Sequence, residues 1–152
     1  MKKSITSNKE SETVELGKRL GRIARSGDII ALFGELGSGK TVLAKGIALG
    51  LGVKRPDRVN SPTFVILKEY AGRIPLYHFD VYRLTGAADF STVGYSEYFY
   101  GKGISVIEWA DKVAEALPRE VLKIELSVDG DKRRKVTISS SGKRYDEILR
   151  KL

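Results

Sequence analysis

The chain has no cysteine, and it holds only one histidine, His78, one tryptophan, Trp109, and one methionine. Without thiols there can be no disulfide, thiolate metal site or cysteine nucleophile. A lone imidazole likewise excludes a histidine metal cluster. Long apolar runs are also missing: the longest is about five residues, Ile29 to Phe33, whereas a membrane-crossing helix needs about 20. Met1-Lys2-Lys3 leads into polar residues rather than into the apolar core of a secretion signal. These absences point to a soluble, cytoplasmic protein with no membrane contact. Its chemistry must rest on carboxylates, hydroxyls, amines, backbone groups or a bound ion.

The charge is lopsided, with 27 Lys and Arg against 19 Asp and Glu, a net of +8. Such an excess favours approach to polyanions by long-range attraction. The basic residues are nevertheless spread along the chain. Their one tight cluster, Lys132-Arg133-Arg134-Lys135, has no interleaved aromatics of the kind that stack on bases. A solvated basic surface is the preferred reading, ahead of a nucleic-acid-binding module. With 152 residues, 41% of them hydrophobic, the chain can bury one core but hardly two, so residues 1–152 read as a single domain.

Helical and extended stretches alternate, which is the pattern of a mainly parallel sheet with flanking helices. Val14, Leu16, Leu20, Ile23 and Ala24 recur at helical spacing between Ser11 and Ala24. Gly27-Asp28 then turns the chain into a strand at Ile29 to Phe33, and Thr41 to Leu51 forms a second helix. Thr63 to Tyr70 and Ile74 to Tyr82 flank the turn Ala71-Gly72-Arg73 as a β-hairpin extension. Ile104 to Trp109 is a short buried strand, and Ala110 to Leu117 is helical until Pro118 stops it. Val121 to Val128 and Lys135 to Ser139 are strands around Asp129-Gly130-Asp131, and Tyr145 to Leu152 is a closing helix.

Between the first strand and the second helix stands Gly34-Glu35-Leu36-Gly37-Ser38-Gly39-Lys40-Thr41. Its Gly-(four residues)-Gly-Lys-Thr spacing, placed between strand and helix, matches the phosphate-binding loop. Glycines permit positive backbone dihedrals and let main-chain N–H groups face phosphate oxygens, and the helix adds its positive end at the same place. Lys40 is then the cation for the β- and γ-phosphates, and Thr41 supplies a hydroxyl ligand to Mg²⁺. An ordinary glycine-rich turn would not explain the Lys-Thr pair. Thr41 cannot hold Mg²⁺ alone, so a carboxylate is needed at the end of another strand. Asp80 and Glu108 are the two candidates, each ending an apolar stretch. The bland alternative for either is a surface carboxylate paired with Arg83 or Lys112.

Other conspicuous residues have ordinary explanations. His78 lies between Tyr77 and Phe79 in a strand and reads as a hydrogen-bonded core imidazole rather than a general base. Trp109 serves equally well as a core or interface anchor and as a nucleotide neighbour. Tyr95, Tyr98, Phe99 and Tyr100 read as partly buried against the sheet.

Four segments together resemble the TsaE family, small ATPases of bacterial tRNA threonylcarbamoyladenosine synthesis, over nearly the whole chain. They are the loop Gly34 to Thr41, then Ser61-Pro62-Thr63-Phe64, then Tyr77-His78-Phe79-Asp80-Val81-Tyr82-Arg83-Leu84, then Ile107-Glu108-Trp109-Ala110-Asp111-Lys112. The loop alone is shared by many NTPases, whereas the other three in this order are specific. The resemblance implies an α/β, P-loop NTPase-like fold. It places Thr41 and Glu108 on the Mg²⁺ side, makes Asp80 a second acid beside them, and wraps Glu35 to Thr41 around the ATP phosphates. It makes Ser61 to Phe64 a nucleotide-sensing switch, sets Arg134 near the base, and runs Ser11 and Thr13 past the nucleotide. It further implies an ATPase that is feeble alone and works with the TsaD and TsaB proteins in threonylcarbamoyl transfer to tRNA adenosine. Contact with tRNA would come only through that complex.

Three other classes use overlapping features. A small-molecule P-loop kinase needs a lid and an acceptor pocket, and no arginine-rich lid segment is present. A GTP-binding switch would carry Asp-x-x-Gly and Asn-Lys-x-Asp after the loop, and neither occurs. A plain nucleic-acid-binding module would rest on the charge alone.

Overall fold

The computed structural model describes residues 1–60 and 66–152. Strands β1 (Lys2–Ser7), β2 (Ile29–Phe33), β3 (Leu67–Tyr70), β4 (Leu76–Asp80), β5 (Ile104–Glu108), β6 (Val121–Val128) and β7 (Arg134–Ser141) form a seven-stranded sheet in the order β1-β7-β6-β2-β5-β4-β3. Its centre is parallel, β2 pairing with β6 and β5 and β5 with β4, while β1, β3 and β7 add antiparallel edges. The β3–β4 pair is the hairpin that the turn at Gly72 predicts.

Period-two alternation divides the central strands between two faces. Ile30 and Leu32 face one core with Val106 and Ile124, and Ile29 and Ala31 face the other with Ile107 and Phe79. Helices α1 (Glu10–Ile23), α2 (Lys40–Gly50) and, near the chain end, a third helix of Lys143–Lys151 cover the first face. Acidic residues Glu10 and Glu12 favour the start of α1, and the Glu12 carboxylate accepts the Asn8 N–H at 2.6 Å. The second face is aromatic. Phe79 meets Phe90 and Phe99 edge-on at 5.4 and 5.9 Å, and these two rings come from two short helices, Ala87–Ser91 and Tyr95–Phe99. Numbering the helices in chain order, these two are α3 and α4, and Lys143–Lys151 is α5.

Helices α1 and α2 touch backbone to backbone. A Cβ on Gly17 would lie 2.5 Å from the Leu43 carbonyl oxygen and 2.7 Å from Gly46 Cα. Gly21 meets Gly50 in the same way one turn along. This glycine ladder draws α2, and with it the loop at its N-terminus, tightly against α1.

Four local features depart from expectation. Strand β1 has only Ile5 as an apolar residue, and it forms because β7 offers it an edge; such polar edge strands are common. Helices α3 and α4, five residues each, are too short to show a helical period. The segment Ala110–Ala116 is 3₁₀ rather than α-helical, with a break at Val113. Strand β5 stops at Glu108, one residue before Trp109, which takes a left-handed φ of 60°.

Candidate phosphate and metal site

Strands β2, β4 and β5 end on one side of the sheet, and the loop from Gly34 to Gly39 crosses their C-terminal ends before α2 begins. This is where open α/β sheets form ligand crevices. Gly37 and Gly39 have φ of 79° and 106°, a region that side chains with a Cβ rarely enter. Gly34 is closed in from outside: a Cβ there would stand 2.5 Å from Ser38 Oγ.

Lys40, on the first turn of α2, bends back over the loop. Its ammonium donates to the carbonyl oxygens of Gly34 at 2.5 Å and Glu35 at 2.9 Å, and lies 3.9 Å from the centroid of the Trp109 ring. Burial pushes the Lys40 pKa below its ordinary value, and the nearby Glu108 and Asp80 carboxylates oppose that shift. The left-handed turn at Trp109 makes this contact possible. Had β5 continued regularly, Trp109 would point to the opposite face from Glu108. The indole also packs on Tyr82, with ring centroids 4.7 Å apart.

Asp80 and Glu108 are register partners on β4 and β5, so both carboxylates leave the same face at the same level. Both are buried, at 1% and 2% exposure, so neither is a surface carboxylate. Thr41 Oγ1 donates to Glu108 Oε1 at 2.8 Å, linking the start of α2 to the end of β5. Asp80 accepts the Tyr82 N–H at 3.0 Å. Two buried carboxylates beside a hydroxyl are an oxygen donor set that suits a hard cation, and burying them is costly without positive charge nearby. Among the described residues no group of three or more His, Cys, Asp or Glu forms a metal cage. Mg²⁺, by its general chemistry, takes one or two protein carboxylates and fills its remaining positions with phosphate and water.

Leu36, Gly37, Gly39, Lys40, Thr41, Asp80, Tyr82, Glu108 and Trp109 line one cleft of about 420 Å³. A second cleft, of about 550 Å³, opens on the other side of the loop and shares Gly37, Gly39 and Val42 with the first. Ser11, Thr13 and Arg134 line it, and the Arg134 guanidinium donates to the Gly37 carbonyl at 3.2 Å. The residues proposed from sequence therefore fall into two adjoining clefts around one helix end. Two of them contribute differently: the Ser38 side chain is buried beneath the loop, and Glu35 is exposed, its carbonyl rather than its carboxylate meeting Lys40. The segment Ser61 to Phe64 lies outside the described residues.

Sequence reading passes over two neighbours. Tyr82 lines the first cleft, and His78 Nε2 sits 2.6 Å from Glu108 Oε2. The core imidazole is as expected, but its partner is the candidate metal-side acid. Strand period puts His78 on the same face of β4 as Asp80, but only the pairing of β4 with β5 in register brings that face to Glu108.

Among the described residues no helix is long and apolar enough to cross a membrane. Comparison with known proteins agrees with the fold and the motifs. A family model described as threonylcarbamoyl adenosine biosynthesis protein TsaE matches residues 7–136. A protein of Bacillus subtilis named tRNA threonylcarbamoyladenosine biosynthesis protein TsaE is 44% identical over 142 residues, spanning 93% of this chain and 87% of its own. A protein of the same name from Treponema pallidum is 42% identical, over 88% of this chain and 97% of its own. A crystal structure of Bacillus subtilis YdiB superposes with a TM-score of 0.83 at 36% identity, covering 99% of this chain and 93% of the other. The four sequence segments, the sheet order and these likenesses agree: the chain belongs to the TsaE family.

Proposed function

We propose that this protein binds ATP with Mg²⁺ and hydrolyses it, feebly alone and faster with TsaD and TsaB, in support of threonylcarbamoyl transfer to tRNA adenosine in the cytoplasm. The observation that carries the reading is the Thr41–Glu108 hydrogen bond of 2.8 Å directly behind the glycine loop, which joins a phosphate-type helix start to a buried strand-end acid. The names of the relatives support the tRNA-modification setting.

On this reading the chain acts as one domain over residues 1–152. The loop N–H groups and the start of α2 receive the β- and γ-phosphates. Lys40 leaves the Gly34 and Glu35 carbonyls to meet the phosphate oxygens, exchanging neutral acceptors for anionic ones. Thr41 and Glu108 hold Mg²⁺, with Asp80 as a second acid beside them. When bound there, Mg²⁺ would supply positive charge to offset the negative charge developing in phosphoryl transfer. Ser11 and Arg134 line the neighbouring cleft, where the nucleoside end is received. Catalysis on this reading is positioning and charge neutralisation. Contact with tRNA comes through the complex.

Phosphate release from ATP, measured with and without TsaB, TsaD and tRNA, tests the proposal. Slow release that rises on adding them is the expected result. Equal release in both arms would overturn the partner-dependent reading, and no release in either would overturn the ATPase.

A further inference from the structure

His78 is completely buried, and hydrophobic packing does not account for it. It shares a face of the sheet with Leu76, Ile104 and Val106, all core residues. Its Nε2 lies 2.6 Å from Glu108 Oε2, and the other oxygen of that carboxylate accepts from Thr41. A carboxylate oxygen offers lone pairs, so Nε2 carries the hydrogen and donates. The other ring nitrogen, Nδ1, has no hydrogen-bond partner among the described residues. A buried polar atom without a partner is costly, and leucine or methionine would fill the same space without that cost. The histidine offers what they cannot: a directed donor to one oxygen of Glu108.

We propose that His78 is a positioning residue for Glu108. Its Nε2–H pins Oε2, which leaves Oε1 turned towards Thr41 and the metal side of the cleft. The terminal torsion of a glutamate is broad, so without this donor the carboxylate rotates and meets a cation in a spread of orientations. Outer donors of this kind are worth about 10- to 100-fold in metal affinity. The proposal rests on the reading of Glu108 as the metal-side acid and extends it by one residue. Loop, hydroxyl, carboxylate and imidazole then form one chain, from Thr41 on α2 through Glu108 on β5 to His78 on β4.

The test is calorimetric titration of a non-hydrolysable ATP analogue into the full chain, once with excess Mg²⁺ and once with EDTA. The readout is the factor by which Mg²⁺ tightens binding. His78→Leu should reduce that factor about tenfold or more while leaving the EDTA affinity as in wild type. His78→Gln, whose amide nitrogen reaches the place of Nε2, should restore most of it. His78→Asn, whose amide reaches only the place of Nδ1, should not. A purely structural role would lower both affinities together and follow the melting temperature. If His78→Leu does not fold, the Gln and Asn variants make the comparison. A wild-type Mg²⁺ factor in the Leu or Asn variant, or a Gln variant no better than Asn, would overturn the proposal. A wild type that binds nucleotide with no Mg²⁺ factor would overturn the metal-side reading of Glu108 first, and a wild type that binds no nucleotide would overturn the loop reading.

Discussion

One wall of the first cleft, Gly34 to Thr41, comes from a single unbroken stretch of chain. The facing wall collects Asp80, Tyr82, Glu108 and Trp109 from the ends of two strands, with His78 behind them. The loop wall takes its shape from local conformation: positive φ at Gly37 and Gly39, and a lysine folded back on its own carbonyls. The strand wall takes its shape from pairing register, which sets Asp80 beside Glu108, and from one left-handed residue, Trp109. The walls also rest on different supports. Behind the loop wall, α2 lies against α1 through glycines, whereas the far face of β4 and β5 is filled by aromatic rings. The difference teaches that the phosphate-type loop is a property of one segment, while the paired carboxylates belong to the assembled sheet. Damage to each wall should therefore separate the two.

The largest effect should come from Lys40→Ala. It removes the loop-wall cation and should weaken ATP binding about 100-fold or more, about 3 kcal/mol, in Mg²⁺ and in EDTA alike. Calorimetric titration in both buffers checks this. Wild-type affinity in the variant would remove the loop wall from the account.

Glu108→Gln strikes the other wall and should split the two functions. Hydrolysis in Mg²⁺ should fall on the order of 100-fold, while binding measured in EDTA persists, because the loop is untouched. Asp80→Asn should act in the same direction but less strongly. Normal phosphate release by Glu108→Gln in the presence of TsaB and TsaD would refute the metal-side assignment.

A smaller effect is expected behind the loop wall. Gly46→Ala places a methyl group against the Val14 carbonyl oxygen and 2.9 Å from Gly17 Cα, both backbone, so one helix must shift. Overpacking of this kind costs about 1–3 kcal/mol, and the gain in helix propensity returns at most about 1 kcal/mol. Urea unfolding should show net destabilisation. A stabilised variant would mean that the α1–α2 contact is looser than its geometry indicates.

The smallest signal should come from the place where the walls touch. The Trp109 ring lies 3.9 Å from Lys40 Nζ, and drawing that ammonium onto phosphate changes the indole's surroundings. Emission should shift with ADP, shift differently with Mg²⁺ and a non-hydrolysable ATP analogue, and stay still in Lys40→Ala. Identical spectra in all states would retire Trp109 from the site.

The loop wall was legible because a contiguous motif carries its own geometry: Gly34, Gly39, Lys40 and Thr41 stand at spacings that only one strand-to-helix turn satisfies. Two central strands were legible from their patterns, the apolar run Ile29–Phe33 and the alternating Val121–Val128, both appearing with the boundaries expected. Strand β1 and helices α3 and α4 were not. The first is polar and exists by pairing with β7, and the other two are shorter than the window that reveals a period.

By itself the sequence determined the phosphate-type loop, the two candidate acids and the α/β class, because these follow from spacing along one chain. Tertiary structure decided which groups meet. It set His78 against Glu108, joined Glu108 to Thr41, turned Trp109 onto Lys40 and let α1 and α2 touch at glycine. Those contacts depend on strand order, on register and on one backbone residue with positive φ. Residues distant in sequence become neighbours only when the sheet is assembled, so spacing along the chain carries no record of them.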